Sequence, residues 1–97
     1  MRYGEPNASR LAMADEVMRE VRAELDRAFA KFPRLSSSSH EAYAVLLEEV
    51  DELWDDVRAN DESGQRKEAV QVAAMAVRFI VDLFEAKGHR RLTEVTK

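Results

Sequence analysis

Five consecutive residues, Glu48-Glu49-Val50-Asp51-Glu52, put four carboxylates into little more than one helical turn. Glu49 and Glu52 are three apart and Glu48 and Glu52 four apart, so on a helix the three glutamates share a flank. Like charges at this spacing repel by roughly a few tenths of a kcal/mol per pair in water, and by more when partly dehydrated. A cation removes that repulsion, and hard divalent ions such as Mg²⁺ take carboxylate oxygens. Glu68, with Gln71 and Asp82 on its flank, lies on the next helical pattern along the chain. Set opposite Glu49 and Glu52 across an antiparallel helix pair, Glu68 would complete a pocket for such an ion.

The elements that must place these groups are helical. The chain has 97 residues, only three Gly and two Pro, and long Ala-, Leu-, Glu- and Arg-rich stretches. Residues 1–8 contain Gly4, Pro6 and Asn7 and read as a flexible arm before a single all-α domain over 9–97. Ser9 is a candidate cap for helix one. Its apolar residues Ala14, Val17, Met18, Val21, Leu25, Ala28, Phe29 and Phe32 recur at three- and four-residue steps until Pro33 ends the pattern. Ser38 followed by Glu41 forms a capping box that opens helix two, which runs to about Arg58. Tyr43, Leu46, Leu47, Val50, Leu53, Trp54 and Val57 gather on one broad arc of it, and Glu49 is the acid nearest that arc.

After the turn Asn60–Gly64, helix three is expected from about Gln65 to Lys87, with Gly88 as its stop. It carries two apolar stripes, Val72/Met75/Ala76/Phe79/Leu83 and Val70/Val77/Val81/Phe84. A surface helix needs one stripe. The expected architecture is therefore an antiparallel bundle of three main helices completed by homo-oligomerisation, with helix three in the shared core.

At this point the residues resemble a known group. Glu48-Glu49-x-x-Glu52, a turn, then Glu68-x-x-Gln71 on an Ala/Val-rich helix is similar to the all-α nucleoside triphosphate pyrophosphatase superfamily. That superfamily includes the MazG-like proteins, dimeric dUTPases and phosphoribosyl-ATP pyrophosphatases, with the pattern Glu-x-x-Glu, a linker, then Glu-x-x-Asp. The lead-in His40 to Leu47 and the following Leu53-Trp54 also look MazG-like, so the resemblance spans about residues 38–83. It implies a Mg²⁺-dependent pyrophosphohydrolase, with Mn²⁺ as an alternative ion, that cleaves a (deoxy)nucleoside triphosphate to the monophosphate and pyrophosphate. Glu49, Glu52 and Glu68 would be metal ligands, Glu48 a further ligand or the base that orients water, and the complex a dimer or tetramer. Gln71 departs from the family's final Asp: its carboxamide oxygen can ligate a hard cation but brings no charge. Asp82 is roughly 16 Å further along by helical rise, too far to substitute. The other expectation is thus a catalytically weakened relative that serves as an oligomeric binding or scaffold module.

Simpler roles compete for several residues. Lys67 and Arg78 are placed to meet phosphates, although cations like these are more often exposed or paired. Trp54 and Tyr43 read as core aromatics and the methionines as packing. Neither His40 nor His89 has a Glu three residues earlier, which excludes the Glu-x-x-His pairs of di-iron bundles. The absence of cysteine excludes disulfides and thiolate-ligated zinc. A net charge of −4 argues against direct nucleic-acid binding. No apolar run is long enough to span a membrane, and a cytoplasmic location is expected.

Overall fold

The chain is all-α. In a computed structural model describing the backbone of residues 4–86 and the side chains of residues 8–86, α1 spans Gly4–Lys31, α2 Ser39–Arg58 and α3 Glu62–Ile80. A π-helical turn, Val81–Ala86, continues α3. Helix α1 thus begins at Gly4, and residues 4–8 belong to it rather than to an arm. Pro6 is no obstacle there, because first-turn amides have no intrahelical acceptor to lose. Helix α3 starts at Glu62, three residues before Gln65, because Asp61 caps it. The expected stop at Gly88 and the tail with His89 lie outside the described residues.

Local chemistry fixes both connections. The Ser38 side chain accepts from the Glu41 amide at 3.1 Å, as the capping box requires. The Glu41 carboxylate, however, reaches Ser37 (amide 2.6 Å, hydroxyl 3.1 Å). Between α2 and α3, Asn60 takes a left-handed conformation (φ 56°). The Asn60 amide bonds to the Val57 carbonyl and the Asp61 amide to the Asp56 carbonyl, the two bonds of a Schellman ending. Asp61 then turns from ending α2 to starting α3, its carboxylate accepting from the Gly64 amide at 3.0 Å. A Cβ at Gly64 would stand 2.5 Å from the Asp61 carboxylate and 2.8 Å from that of Asp56, so a side chain there would displace the capping carboxylate. The result is a tight antiparallel α2–α3 pair.

Helix α3 is the centre of the fold, packed along α2 on one side and α1 on the other, while α1 and α2 barely touch. Helix α1 runs parallel to α3: Glu20 meets Arg66 near the start of α3, and Ala28 meets Arg78 near its end. Val21 and Leu25 close onto Ala74, with Phe29, Val70, Ala73 and Val77 around them. The two stripes of α3 are half-buried within one chain, against α1 and α2, except at Phe84, which is 62% exposed. The surplus apolar surface lies elsewhere. The arc of α2 divides into an inner row with Ala42, Leu46 and Leu53 and an outer row, Tyr43, Leu47, Val50, Trp54 and Val57, that is exposed. Tyr43 and Trp54, each 57% exposed, are not core residues, and Met13 and Met18 on α1 are exposed too.

Arg78 and Asp82 close the third corner. Asp82 is 1% exposed and accepts at a single carboxylate oxygen from Arg78 Nε (3.0 Å), the Ser36 amide (3.1 Å) and the Ser36 hydroxyl (3.2 Å). Arg78 also donates to the carbonyls of Ala28 (3.1 Å), Phe32 and Arg34 (2.9 Å), and its guanidinium lies over the Phe29 ring. One buried ion pair thus ties the end of α1 and the following loop to the end of α3.

Candidate metal centre

Where α1 and α2 stand apart across α3, a cleft of about 1020 Å³ opens between them. Glu24, Arg27 and Lys31 of α1 line one wall, Glu41, Glu48 and Glu49 of α2 the other, and Gln71, Met75 and Phe79 of α3 the floor. That volume is at the upper end of the range for small-molecule sites. Glu49 belongs both to this cleft and to a second grouping at its end.

There, Glu49, Glu52 and Glu68 bring carboxylate oxygens within 4.8 Å of one another. The expected convergence of α2 and α3 is thus present, and it is the one such acidic trio among the described residues. Glu49 and Glu68 are half-buried and Glu52 is exposed. Glu68 Oε2 is buried with no hydrogen-bond partner. An ionised oxygen in that position is costly, since neither water nor a donor replaces its lost hydration.

The electrostatics agree. Burial, then the Glu68 carboxylate beside it and the charges of Glu52 and Glu48, push the Glu49 pKa up to about 7. The charge of Glu68 is the first cause of an upward shift at Glu52. A protonated Glu49 can donate to Glu68, so near neutral pH a proton partly fills the place a cation would take. The donors are hard oxygens with uncompensated charge, a set that could hold a divalent ion.

The other candidate residues divide. Glu48 lines the cleft beside Glu49 and adds to the charge that perturbs both Glu49 and Glu52. Gln71 lines the floor near Glu24 of α1, whose carboxyl is held below its usual pKa first by its Arg27 hydrogen bond and then by Gln71. Lys67 is exposed and is not among the cleft-lining residues; its charge acts on Glu24. Arg78 lines the cleft, but four of its five N–H donors go to Asp82 and three carbonyls. Its side chain, 11% exposed, is a brace and has no free fork for a phosphate. Sequence reasoning missed the α1 wall. Glu24, Ala28 and Lys31 follow the i, i+4, i+7 step that marks a shared face, which is the signal that could have found it.

No helix among the described residues is long and apolar enough to cross a membrane. Comparison with protein-family models, with curated proteins and with solved structures finds no match.

Proposed function

We propose that this protein is a Mg²⁺-dependent nucleotide pyrophosphohydrolase of the MazG-like kind, acting in the cytoplasm as a homo-oligomer. The observation that carries the reading is the convergence of Glu49, Glu52 and Glu68, with one Glu68 oxygen buried and unpartnered, beside a nucleotide-sized cleft. Glu49, Glu52 and Glu68 would hold the ion. Gln71, one turn after Glu68 on the cleft floor, would offer its carboxamide oxygen as a neutral ligand. When bound, a divalent ion neutralises phosphate charge and acidifies coordinated water.

The remaining roles belong to the chain's own residues. Arg27 and Lys31, on the wall opposite Glu48 and Glu49, draw the phosphate chain into the cleft. Met75 and Phe79 give the floor an apolar surface for a base or sugar. Glu48 accepts the proton of the attacking water, whose oxygen bonds to the α-phosphorus as the α–β anhydride bond breaks and pyrophosphate leaves. Incubating the protein with Mg²⁺ and a panel of ribo- and deoxynucleoside triphosphates, and measuring pyrophosphate, tests the activity. Release above that of a Glu49→Ala control is expected, and none above it contradicts the reading.

One observation favours a second reading, a non-hydrolytic oligomeric binding or scaffold module. Gln71 stands where the resemblance calls for Asp and brings no charge. Weak or absent Mn²⁺ binding, with no pyrophosphate released, would decide for it.

A further inference from the structure

We infer that the end of the cleft beside the α1–α2 connection selects nucleotides whose base carries an exocyclic amino group, with Glu41 Oε2 as the selecting atom. This rests on the nucleotide reading above and narrows its substrate class. Glu41 stands two turns before Glu49 on α2, roughly 12 Å away by helical rise. Helix α3 runs antiparallel to α2, so Phe79, two turns beyond Gln71, lies toward the same end. Both Glu41 and Phe79 line the cleft, as do Ser36 and Ser37 of the connection. A nucleotide with its phosphates by Glu49, Arg27 and Lys31 lays its base toward Phe79, with the base edge against these polar groups.

The hydrogen bonds at that end leave acceptors and use up the neutral donors. Ser36 gives both its amide and its hydroxyl hydrogen to Asp82, at 3.1 and 3.2 Å. Ser37 gives both of its own to Glu41 Oε1, at 2.6 and 3.1 Å. Arg78 spends four of its five on Asp82 and the carbonyls of Ala28, Phe32 and Arg34. What is left over is Glu41 Oε2, which has no partner among the described residues, and the lone pairs of the two hydroxyls. The Ser37 bonds hold the Glu41 carboxyl below its usual pKa, so at neutral pH Oε2 only accepts. They also fix its position, since both bonds are made by the other oxygen.

Adenine, cytosine and guanine each present an exocyclic N–H₂ donor. Uracil and thymine instead present a single N–H between two carbonyl oxygens, and those oxygens would lie against acceptors. Arg34 also lines this end and is the competing donor. Its guanidinium is exposed and is fixed by no hydrogen bond among the described residues. A group that must first be ordered discriminates less than one already in place.

The test is calorimetric titration, with Mn²⁺ present, of the non-hydrolysable α,β-imido analogues of dATP, dCTP, dGTP, dTTP and dUTP. The three amino bases should bind about tenfold or more tightly than the other two, the scale of one hydrogen bond to a charged group. Glu41→Gln puts an N–H₂ where Oε2 stood, while its carbonyl oxygen still takes the Ser37 donors. The cytosine-to-uracil affinity ratio should then fall at least tenfold, with the dUTP analogue gaining. A purely structural role for Glu41 would weaken both analogues alike and leave the ratio unmoved. Should Glu41→Gln not fold, the wild-type ratio decides alone. Equal affinities in the wild type, or a ratio unchanged in folded Glu41→Gln, overturn the inference and leave the nucleotide reading standing. A preference lost in Arg34→Ala overturns it too, because selection would then belong to Arg34. No binding of any analogue removes the nucleotide reading and this selection with it. Selective binding without pyrophosphate release from the natural triphosphates removes hydrolysis alone.

Discussion

Glu49 and Glu68 face each other across α2 and α3 as two half-buried carboxyls, and one oxygen of Glu68 has no partner. Two like charges do not adopt this arrangement for stability. The pair is a cost that the rest of the α2–α3 contact carries, which is the usual position of groups kept for a ligand.

The sign of that cost sets a pH dependence. Glu49 titrates near pH 7 in the fold, against an ordinary value of 4.5. Between those values the folded chain retains a proton that the unfolded chain has released. Metal-free stability is therefore fullest below about pH 4.5 as far as this group is concerned, and falls as pH rises to about 7. Thermal melts in chelator should show this decline. Glu68→Gln should flatten it and raise stability at pH 8 by about 1 kcal/mol, or ~4–8 °C for a domain of this size. A Glu68→Gln protein less stable than wild type at pH 8 would contradict the claim that the site is strained.

Adding Mn²⁺ should reverse the trend. The ion competes with the proton at Glu49, so affinity should rise with pH through about 7. Melting temperatures with Mn²⁺ should climb over the pH range where those without it decline.

Gln71→Asp restores the charge that the resemblance calls for, but sets a carboxylate against Glu24. Two outcomes are expected together: a loss of about 1 kcal/mol of metal-free stability, and Mn²⁺ affinity tighter by roughly tenfold, the scale at which groups around a metal tune its binding. Calorimetry on the variant measures the second, urea unfolding the first. Weaker Mn²⁺ binding would show that position 71 does not face the ion.

The Arg78–Asp82 pair gives a structural prediction. Asp82→Ala leaves the guanidinium buried without its counter-charge and frees the Ser36 amide. The expected loss is about 3–5 kcal/mol, read by urea unfolding. A loss under about 1 kcal/mol would mean that the loop from Phe32 to Ser38 is held by something else.

How far the sequence could be read depends on whether a residue's partner is local. The cap at Ser38 involves a group three residues on, so composition signals it. The equally local cap at Asp61 lies within a run of turn formers, which is why the start of α3 was expected three residues late. The acidic trio was visible because i, i+3 spacing and a short turn together constrain where α2 can meet α3. The Arg78–Asp82–Ser36 knot was not, since its partners are 44 to 50 residues apart and nothing at Ser36 marks it. The α2 arc was read as one face for a related reason. Two heptad rows one residue apart look like a single broad stripe until a neighbour takes one of them. The placement of α3 between α1 and α2 decides that, and periodicity along a single helix does not contain it.

Calorimetric titration of Mn²⁺ into the metal-free protein at pH 8 tests the central claim most directly. A saturable site that is lost in Glu52→Ala and in Glu68→Gln is the predicted result. Absence of saturable binding, or binding that survives both substitutions, would contradict it.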